Sequence, residues 1–302
     1  MVSESVRGPK QLTELRCLPT FELRVAGQAV PLAHRSQRVL VLLAVRGGPV
    51  DRAELAGTLW PDVSASRAYS SLRSTLWGLA RIGPSPVTAV GTSVQLSRDV
   101  RVDVETARRL AMRIIDRGPG KISASTALAT LRHDFLPSWS EEWLTAEQHH
   151  YRQLRLHALE VLSRYLSERG DHAHAVEAGL LALAVEPLRE SAHRTLMLAH
   201  LAEGNRAEAI WQYHRCRDLL ETELGLAPSP EMQALLQKAL QHGPVDLTDG
   251  GGGGPAGTKQ RPARSPDDRA TGRAGAPSGE RPRADDAVSG DDGPEQAAAA
   301  GG

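Results

Sequence analysis

Arginines and serines share one stripe of a predicted helix in the first third of the chain. Over residues 64–81 the apolar residues recur at steps of four, four and three, which places them on one helix face: Ala68, Leu72, Leu76 and Leu79. The other face combines cations with short hydroxyls and holds no acid: Arg67, Ser70, Ser71, Arg73 and Ser74. Arg pairs bidentately with guanine and Ser approaches phosphate or base closely, so this face suits a helix in a DNA major groove. A solvated face that carries two arginines by chance is the alternative.

Short strands and a compact apolar helix precede this stripe. Residues 14–32 alternate apolar and polar side chains, with a turn at 26–28, which predicts a small sheet. Residues 36–45 are so apolar that the pattern indicates a helix in a core. A sheet and a packed helix are therefore expected to hold the cationic helix in place.

A second helix and a hairpin flank the cationic helix. Asp51 is the predicted N-cap of the second helix, with Glu54 as its capping-box partner, and Ser64 can cap the cationic helix. Residues 87–96 alternate as a hairpin around 91–93. A sheet, three helices and a final hairpin form the order of a winged helix-turn-helix. In such a domain the third helix reads the major groove, and the hairpin, or wing, meets the backbone or minor groove.

Further contacts to DNA are expected beside the third helix. Thr92 and Ser93 lie at the predicted wing turn. Arg38 and Arg52 can hold phosphates. The start of the second helix adds its dipole near Arg52, although two acids in the first turn oppose an anion there.

The first third of the chain is also its basic part. The chain of 302 residues has 36 Lys and Arg and 36 Asp and Glu, so its formal net charge is zero. Residues 1–103 hold 13 of the basic and 8 of the acidic residues, whereas acids are in excess over 104–242 and 243–302. A basic N-terminal part favours phosphate contact through counterion release.

The motifs predict no enzyme, no cofactor and no metal site. The histidines at 149–150 and at 172–174 lack partners at the spacing of metal ligands, and neither His-Glu-x-x-His nor Gly-x-Ser-x-Gly occurs. The glycines at 250–254 are not followed by the Lys-Ser/Thr of a phosphate-binding loop.

Nothing in the sequence indicates export or a membrane. Residues 1–10 lack the apolar core of a signal peptide, and no run approaches 18 apolar residues. Cys17 and Cys216 lie too far apart in the sequence for a disulfide framework and fit a reducing compartment. We therefore expect a cytoplasmic protein.

A repeat of 34 residues marks the second part of the chain. Residues 170–176 read Gly-Asp-His-Ala-His-Ala-Val, and residues 204–210 read Gly-Asn-Arg-Ala-Glu-Ala-Ile. This is the tetratricopeptide period, in which pairs of helices stack on one another. The predicted pairs are 104–116 with 124–133, 154–168 with 173–185, and 191–202 with 207–223.

Four segments carry a resemblance to a known family. Residues 36–43 (Ser-Gln-Arg-Val-Leu-Val-Leu-Leu) and 50–60 (Val-Asp-Arg-Ala-Glu-Leu-Ala-Gly-Thr-Leu-Trp) resemble the DNA-binding half of the Streptomyces antibiotic regulatory protein (SARP) family. Residues 134–143 and 223–231 are similar to segments of that family's activator domain. The first of these holds two tryptophans at i and i+4, at 139 and 143, which we expect on one helix face in core or inter-domain packing.

The resemblance implies a fold and a division of the chain. The expected fold is mainly α with a small β component: an OmpR-type winged helix-turn-helix over 14–103, followed by an all-α bacterial transcriptional activator domain of tetratricopeptide-like helices over 104–242. A flexible N-terminus is expected over 1–13. The tail over 243–302, rich in Gly, Pro and Ala, is expected to be disordered. Without a nucleotide-binding motif the chain resembles the short members of the family, and it departs from them at Val94, where the wing often carries an aromatic.

The resemblance also implies a function. Members are transcriptional activators that bind direct repeats in promoters of secondary-metabolite (antibiotic) gene clusters and help recruit RNA polymerase. The implied partners are double-stranded promoter DNA, the polymerase holoenzyme and a second copy of the chain. Two alternatives stay open: a protein-interaction adapter of the tetratricopeptide type, and a ligand-sensing regulator without direct promoter recognition.

Overall fold

A computed structural model describes residues 12–241 of the chain. The described residues are mainly helical, with a small β component in the first half, as the sequence predicts. Most of the N-terminus expected to be flexible and all of the tail expected to be disordered lie outside the described residues. The first strand begins at Thr13, so the predicted flexible segment ends one residue too late.

Four short strands form the first sheet, with β1 between β2 and the last strand of this half. They are β1 (Thr13–Arg16), β2 (Glu22–Val25), β3 (Gln28–Val30) and β7 (Val100–Val102). Ala26 and Gly27 both have positive φ, at 49° and 81°, and join β2 to β3 in a two-residue hairpin turn. β7 pairs in parallel with β1 and forms an edge of this sheet. The helical half, residues 103–241, begins directly after β7.

Three helices and a second sheet complete the first half. The helices are α1 (His34–Arg46), α2 (Arg52–Leu59) and α3 (Ala65–Ala80), and the sheet has the order β4-β6-β5 from β4 (Val50–Asp51), β5 (Val87–Val90) and β6 (Ser93–Leu96). The β5–β6 hairpin is the wing. The Asp51 carboxylate accepts a hydrogen bond of 2.7 Å from the Ala53 N–H, which confirms the predicted cap. The predicted capping box is wrong, because the Glu54 carboxylate instead pairs with Arg46 at 3.2 Å. Ser64 stands at the N-cap of α3 without a side-chain hydrogen bond.

Within the described residues the second half has seven helices, and those from α6 to α10 pack successively. The seven are α4 (Asp103–Arg117), α5 (Ala124–Leu131), α6 (Glu142–Glu168), α7 (His172–Val185), α8 (Glu190–Glu203), α9 (Arg206–Leu224) and α10 (Pro230–Gln241). The starts of α7 and α9 are 34 residues apart, as the repeat predicts. Gly170 and Gly204 lie just before these two helices and have φ of 77° and 85°. This conformation favours glycine and lets the chain turn sharply before each helix.

The loop before α6 packs against the first half, residues 13–102, which we call the winged half. Trp139 stacks on Phe21 with 6.2 Å between ring centroids, and its ring meets His34 edge-on at 4.8 Å. The expectation that Trp139 and Trp143 share a helix face is wrong, because α6 begins only at Glu142. Both rings nevertheless pack on the core of the first half, so the expected packing role is confirmed.

Asp103 ties the first residue of α4 to the end of β1. Its carboxylate accepts hydrogen bonds from the backbone N–H groups of Cys17 at 2.9 Å and Leu18 at 3.0 Å. Burial raises the pKa of the Asp103 carboxyl, and these N–H groups oppose that shift. The core is continuous across this junction, since Leu15 and Leu144 belong to one cluster of buried side chains.

Candidate nucleic-acid interface

Helix α3 presents its cationic face to solvent. Ala68, Leu72 and Leu79 are buried beneath the helix, each no more than 2% exposed. Four of the five predicted contact residues on the other side are exposed and Ser71 is half-buried. Within residues 12–241, neither Arg67 nor Arg73 has a hydrogen bond or an ion pair with a protein group. Both guanidinium groups are therefore available to an external anion or base edge.

The wing turn lies beside the start of α2. Gly91 has φ of 59° and leads into Thr92, which is exposed, and Ser93, which is half-buried. Arg52 Nη1 donates a long hydrogen bond of 3.4 Å to the Thr92 carbonyl oxygen. This contact joins two elements that are 40 residues apart in the chain.

A depression between α2 and α3 brings three polar side chains together. Its lining is formed by side chains from both helices: Arg52, Tyr69, Leu72, Arg73 and Leu76. The structure thus places Arg52, Arg73 and the wing turn around one surface. Tyr69 is 43% exposed there. The sequence analysis did not name it as a contact residue, although it lies on α3 directly after Ala68 in the sequence. Its ring offers an apolar face with a hydroxyl at the rim.

Arg38 lies apart from the other candidates. Its Nη2 lies 2.7 Å from Oε2 of Glu141, and both side chains are 19% exposed. Arg38 Nε is buried without a hydrogen-bond partner among the described residues. Because a carboxylate of the helical half already matches its charge, Arg38 is not free to bind phosphate in this arrangement.

The C-terminal turn of α3 carries two residues that the sequence analysis missed. Trp77 is 64% exposed, and the Arg81 guanidinium lies 4.6 Å from the centroid of its ring. A helical wheel continued beyond Ser74 places Trp77 and Arg81 on the outward face, opposite the buried side chains.

No group of three His, Cys, Asp or Glu side chains within residues 12–241 is placed to hold a metal ion. In the same part of the chain no helix combines the length and apolarity needed to cross a membrane.

Comparison with known proteins identifies the helical half. Residues 103–240 match the model of the bacterial transcriptional activator domain family. The regulatory protein AfsR of Streptomyces coelicolor is 29% identical over 233 residues, which cover 72% of this chain and 23% of AfsR. The transcriptional regulatory protein EmbR of Mycobacterium tuberculosis is 26% identical over 253 residues, which cover 76% of this chain and 63% of EmbR. The chain thus spans less than a quarter of the length of AfsR.

A solved structure shares the fold. The chain superposes on Mycobacterium tuberculosis EmbR, which was solved in complex with a low-affinity phosphopeptide, with a TM-score of 0.60 and 20% identity. The match covers 78% of this chain and 67% of the EmbR chain. At this identity the likeness concerns the fold alone. The helical half thus matches the bacterial transcriptional activator domain family, and the chain is similar in sequence to the transcriptional regulators AfsR and EmbR.

Proposed function

We propose that this protein is a transcriptional activator that binds promoter DNA sequence-specifically through α3 and the wing. The observation that carries the proposal is the outer face of α3, where Arg67 and Arg73 have no partner among residues 12–241 and stand beside the exposed Ser70 and Ser74. A major groove about 12 Å wide admits an α-helix, and Arg reads guanine there through two parallel hydrogen bonds. Arg67 and Arg73 are our proposed base-reading residues, and Ser70, Ser71 and Ser74 approach base or backbone.

The surroundings of α3 fit contacts to the DNA backbone. Arg52 lies in the depression next to Arg73 and is hydrogen-bonded to the wing turn at Thr92. Arg52, Thr92 and Ser93 are thus our proposed backbone contacts, which fix the register of α3 without reading sequence. Arg38 is assigned a structural role instead, because Glu141 pairs with it.

The finer function is proposed from the resemblance to the SARP family. We propose that the chain binds direct repeats in promoters of a secondary-metabolite gene cluster as a pair of copies, and that the helical half contacts RNA polymerase holoenzyme. Its place of action is then the nucleoid in the cytoplasm. The activator-domain match over 103–240 and the AfsR relatives support this assignment.

The test is binding of the full chain to duplexes from promoters that flank its gene, with scrambled duplexes as controls, over a salt series. We expect one promoter to bind most tightly, with affinity that falls steeply as salt rises. Arg67→Ala and Arg73→Ala should each lower specific affinity by about tenfold or more, because a bidentate base contact contributes about 1–3 kcal/mol. Arg117→Ala, at an exposed position in the last turn of α4, is the matched control and should bind normally.

Equal and weak binding to every duplex, unchanged by Arg67→Ala and Arg73→Ala, would contradict the proposal. A protein-interaction adapter would then be the better description of the chain.

A further inference from the structure

Trp77 is a large apolar side chain that the fold leaves in solvent. It is 64% exposed on α3, while the same helix buries Ala68, Leu72 and Leu79 below 3%. The Arg81 guanidinium lies over its indole ring, 4.6 Å from the ring centroid. Packing in the core therefore does not account for a tryptophan at this position, whereas an interface rich in aromatic and arginine side chains does.

The pair lies in line with the proposed groove contacts. Residues at steps of three and four share a helix face, so Ser70, Arg73, Trp77 and Arg81 form one continuous outward stripe. The helix holds no acidic residue from Ala65 to Ala80. A polyanion can thus approach the stripe without meeting a like charge on α3.

The distance along the helix places the pair at the edge of the groove. Ser70 and Arg81 are eleven positions apart, which corresponds to about 16 Å at 1.5 Å per residue. The major groove is about 12 Å wide. When the segment from Arg67 to Ser74 lies in the groove, the last turn of α3 therefore reaches the sugar–phosphate wall.

We propose that Trp77 and Arg81 together clamp one segment of the DNA backbone at the end of α3. In this clamp the indole ring packs on deoxyribose, and its Nε1–H donates to a phosphate oxygen. Arg81 donates to the same phosphate group, and stacking on Trp77 restricts its guanidinium before DNA binds. The clamp is a sequence-independent contact that sets how deeply α3 enters the groove. This inference rests on the proposed function.

The chain contains a matched control for this pair. On α9 the Arg215 guanidinium lies 5.4 Å from the ring centroid of Trp211, which is 56% exposed. The chemistry and spacing, Trp at i and Arg at i+4, are the same as on α3. The two pairs differ in their position in the fold, because α9 belongs to the helical half.

The test compares Trp77→Ala, Trp77→Phe and Arg81→Ala with Trp211→Ala and Arg215→Ala in the full chain. Anisotropy of a labelled promoter duplex and of its scrambled control is measured over a salt series, and thermal unfolding verifies that each variant is folded. We expect Trp77→Ala and Arg81→Ala to weaken both duplexes by about tenfold, as for loss of a charge-assisted hydrogen bond. Arg81→Ala should also lower the salt slope by about one. Trp77→Phe should fall between Trp77→Ala and the parent, and both α9 variants should bind like the parent.

Three results would overturn the clamp. One is parental DNA affinity in Trp77→Ala and Arg81→Ala, particularly if transcription by purified polymerase falls, since the pair is then a protein-docking patch. Another is a loss confined to the promoter duplex, which would make the pair a base reader. The third is an equal loss of DNA affinity in the α9 variants, which would show that the effect does not depend on the position of the pair on α3. The proposed function fails separately, when the parent chain itself shows no promoter preference, and the clamp then fails with it.

Discussion

Glu141 and Arg38 form an ion pair of 2.7 Å that joins the loop before α6 to α1. The two residues are 103 positions apart in the chain. Glu141 also accepts a hydrogen bond of 3.0 Å from Trp143 Nε1 and lies 3.5 Å from His34 Nε2. The Glu141 carboxylate thus links α1 of the winged half to the first turn of α6.

Removing this carboxylate should destabilise the protein. Glu141→Gln leaves the largely buried Arg38 cation without its counter-charge, and we expect the free energy of unfolding to fall by about 1–3 kcal/mol. Urea unfolding of the full chain measures the change. The double variant Arg38→Met/Glu141→Gln should recover part of the loss, because no buried cation remains. A double variant that is less stable than Glu141→Gln would contradict this account.

The same pair separates a structural role for Arg38 from a DNA-binding role. Arg38→Met should lower stability but leave promoter affinity within about twofold of the parent, because its charge is already matched by Glu141. Arg52→Ala is the comparison, since we propose that Arg52 contacts the backbone, and it should weaken binding and lower the salt slope by about one. A salt slope that falls equally in Arg38→Met would show that Arg38 does contact phosphate.

Asp103 should be essential to the junction between β1 and α4. Asp103→Ala removes the acceptor of the Cys17 and Leu18 N–H groups, and we expect a loss of about 2–4 kcal/mol in the free energy of unfolding. Asp103→Asn keeps one carbonyl acceptor, so its free energy of unfolding should lie between those of Asp103→Ala and the parent. The matched control is Asp62→Ala, at an exposed position in the turn before α3, which should change stability by less than about 0.5 kcal/mol.

Gly179 lies where α7 packs tightly against Leu196 of α8. A Cβ at this position would lie 3.1 Å from Leu196 Cδ1 and 3.3 Å from the Leu196 Cα. Because backbone cannot move as a side chain can, Gly179→Ala should lower the free energy of unfolding by about 1–3 kcal/mol. Gly57→Ala, within α2, meets nothing within 4 Å and should instead stabilise the protein by up to about 1 kcal/mol. Thermal unfolding of the two variants should therefore shift in opposite directions.

His193 should make stability depend on pH. Its Nε2 lies 2.8 Å from the Pro187 carbonyl oxygen, its Nδ1 faces Gln212 Nε2, and burial lowers the pKa of its imidazole. The Pro187 carbonyl and Glu190 oppose that shift, while Arg215 adds to it. Because the folded pKa lies below that of the unfolded chain, the unfolded state binds more protons at acidic pH. The contribution of His193 to stability is thus complete above the unfolded pKa of about 6.5 and declines as pH falls towards the folded pKa.

Urea unfolding between about pH 5 and pH 8 checks this sign. His193→Gln removes the titrating group and should flatten the profile relative to the parent. His149→Gln, at an exposed position of α6, is the control and should keep the parental profile. A parental slope in His193→Gln would assign the pH dependence to other groups.

Local patterns in the sequence determined several features of this protein. The apolar spacing of Ala68, Leu72 and Leu79 determined which face of α3 is buried, because helix geometry repeats every 3.6 residues whatever surrounds it. The echo of 170–176 in 204–210 set the spacing of α7 and α9, and Asp51 capped α2 as its side-chain chemistry requires. The resemblance to the SARP family also rested on local segments, and the activator-domain match over 103–240 and the similarity to AfsR agree with it.

Only the tertiary structure decided the features that join distant parts of the chain. The start of α6 at Glu142, twelve residues before the predicted helix, depends on the loop that seats Trp139 against Phe21. The pairing of Arg38 with Glu141 and of Arg52 with the wing turn has no signal in the sequence, because partners 103 and 40 positions apart meet only once the sheets and helices are packed. Periodicity determines which face of an element is buried, whereas topology decides which element covers it.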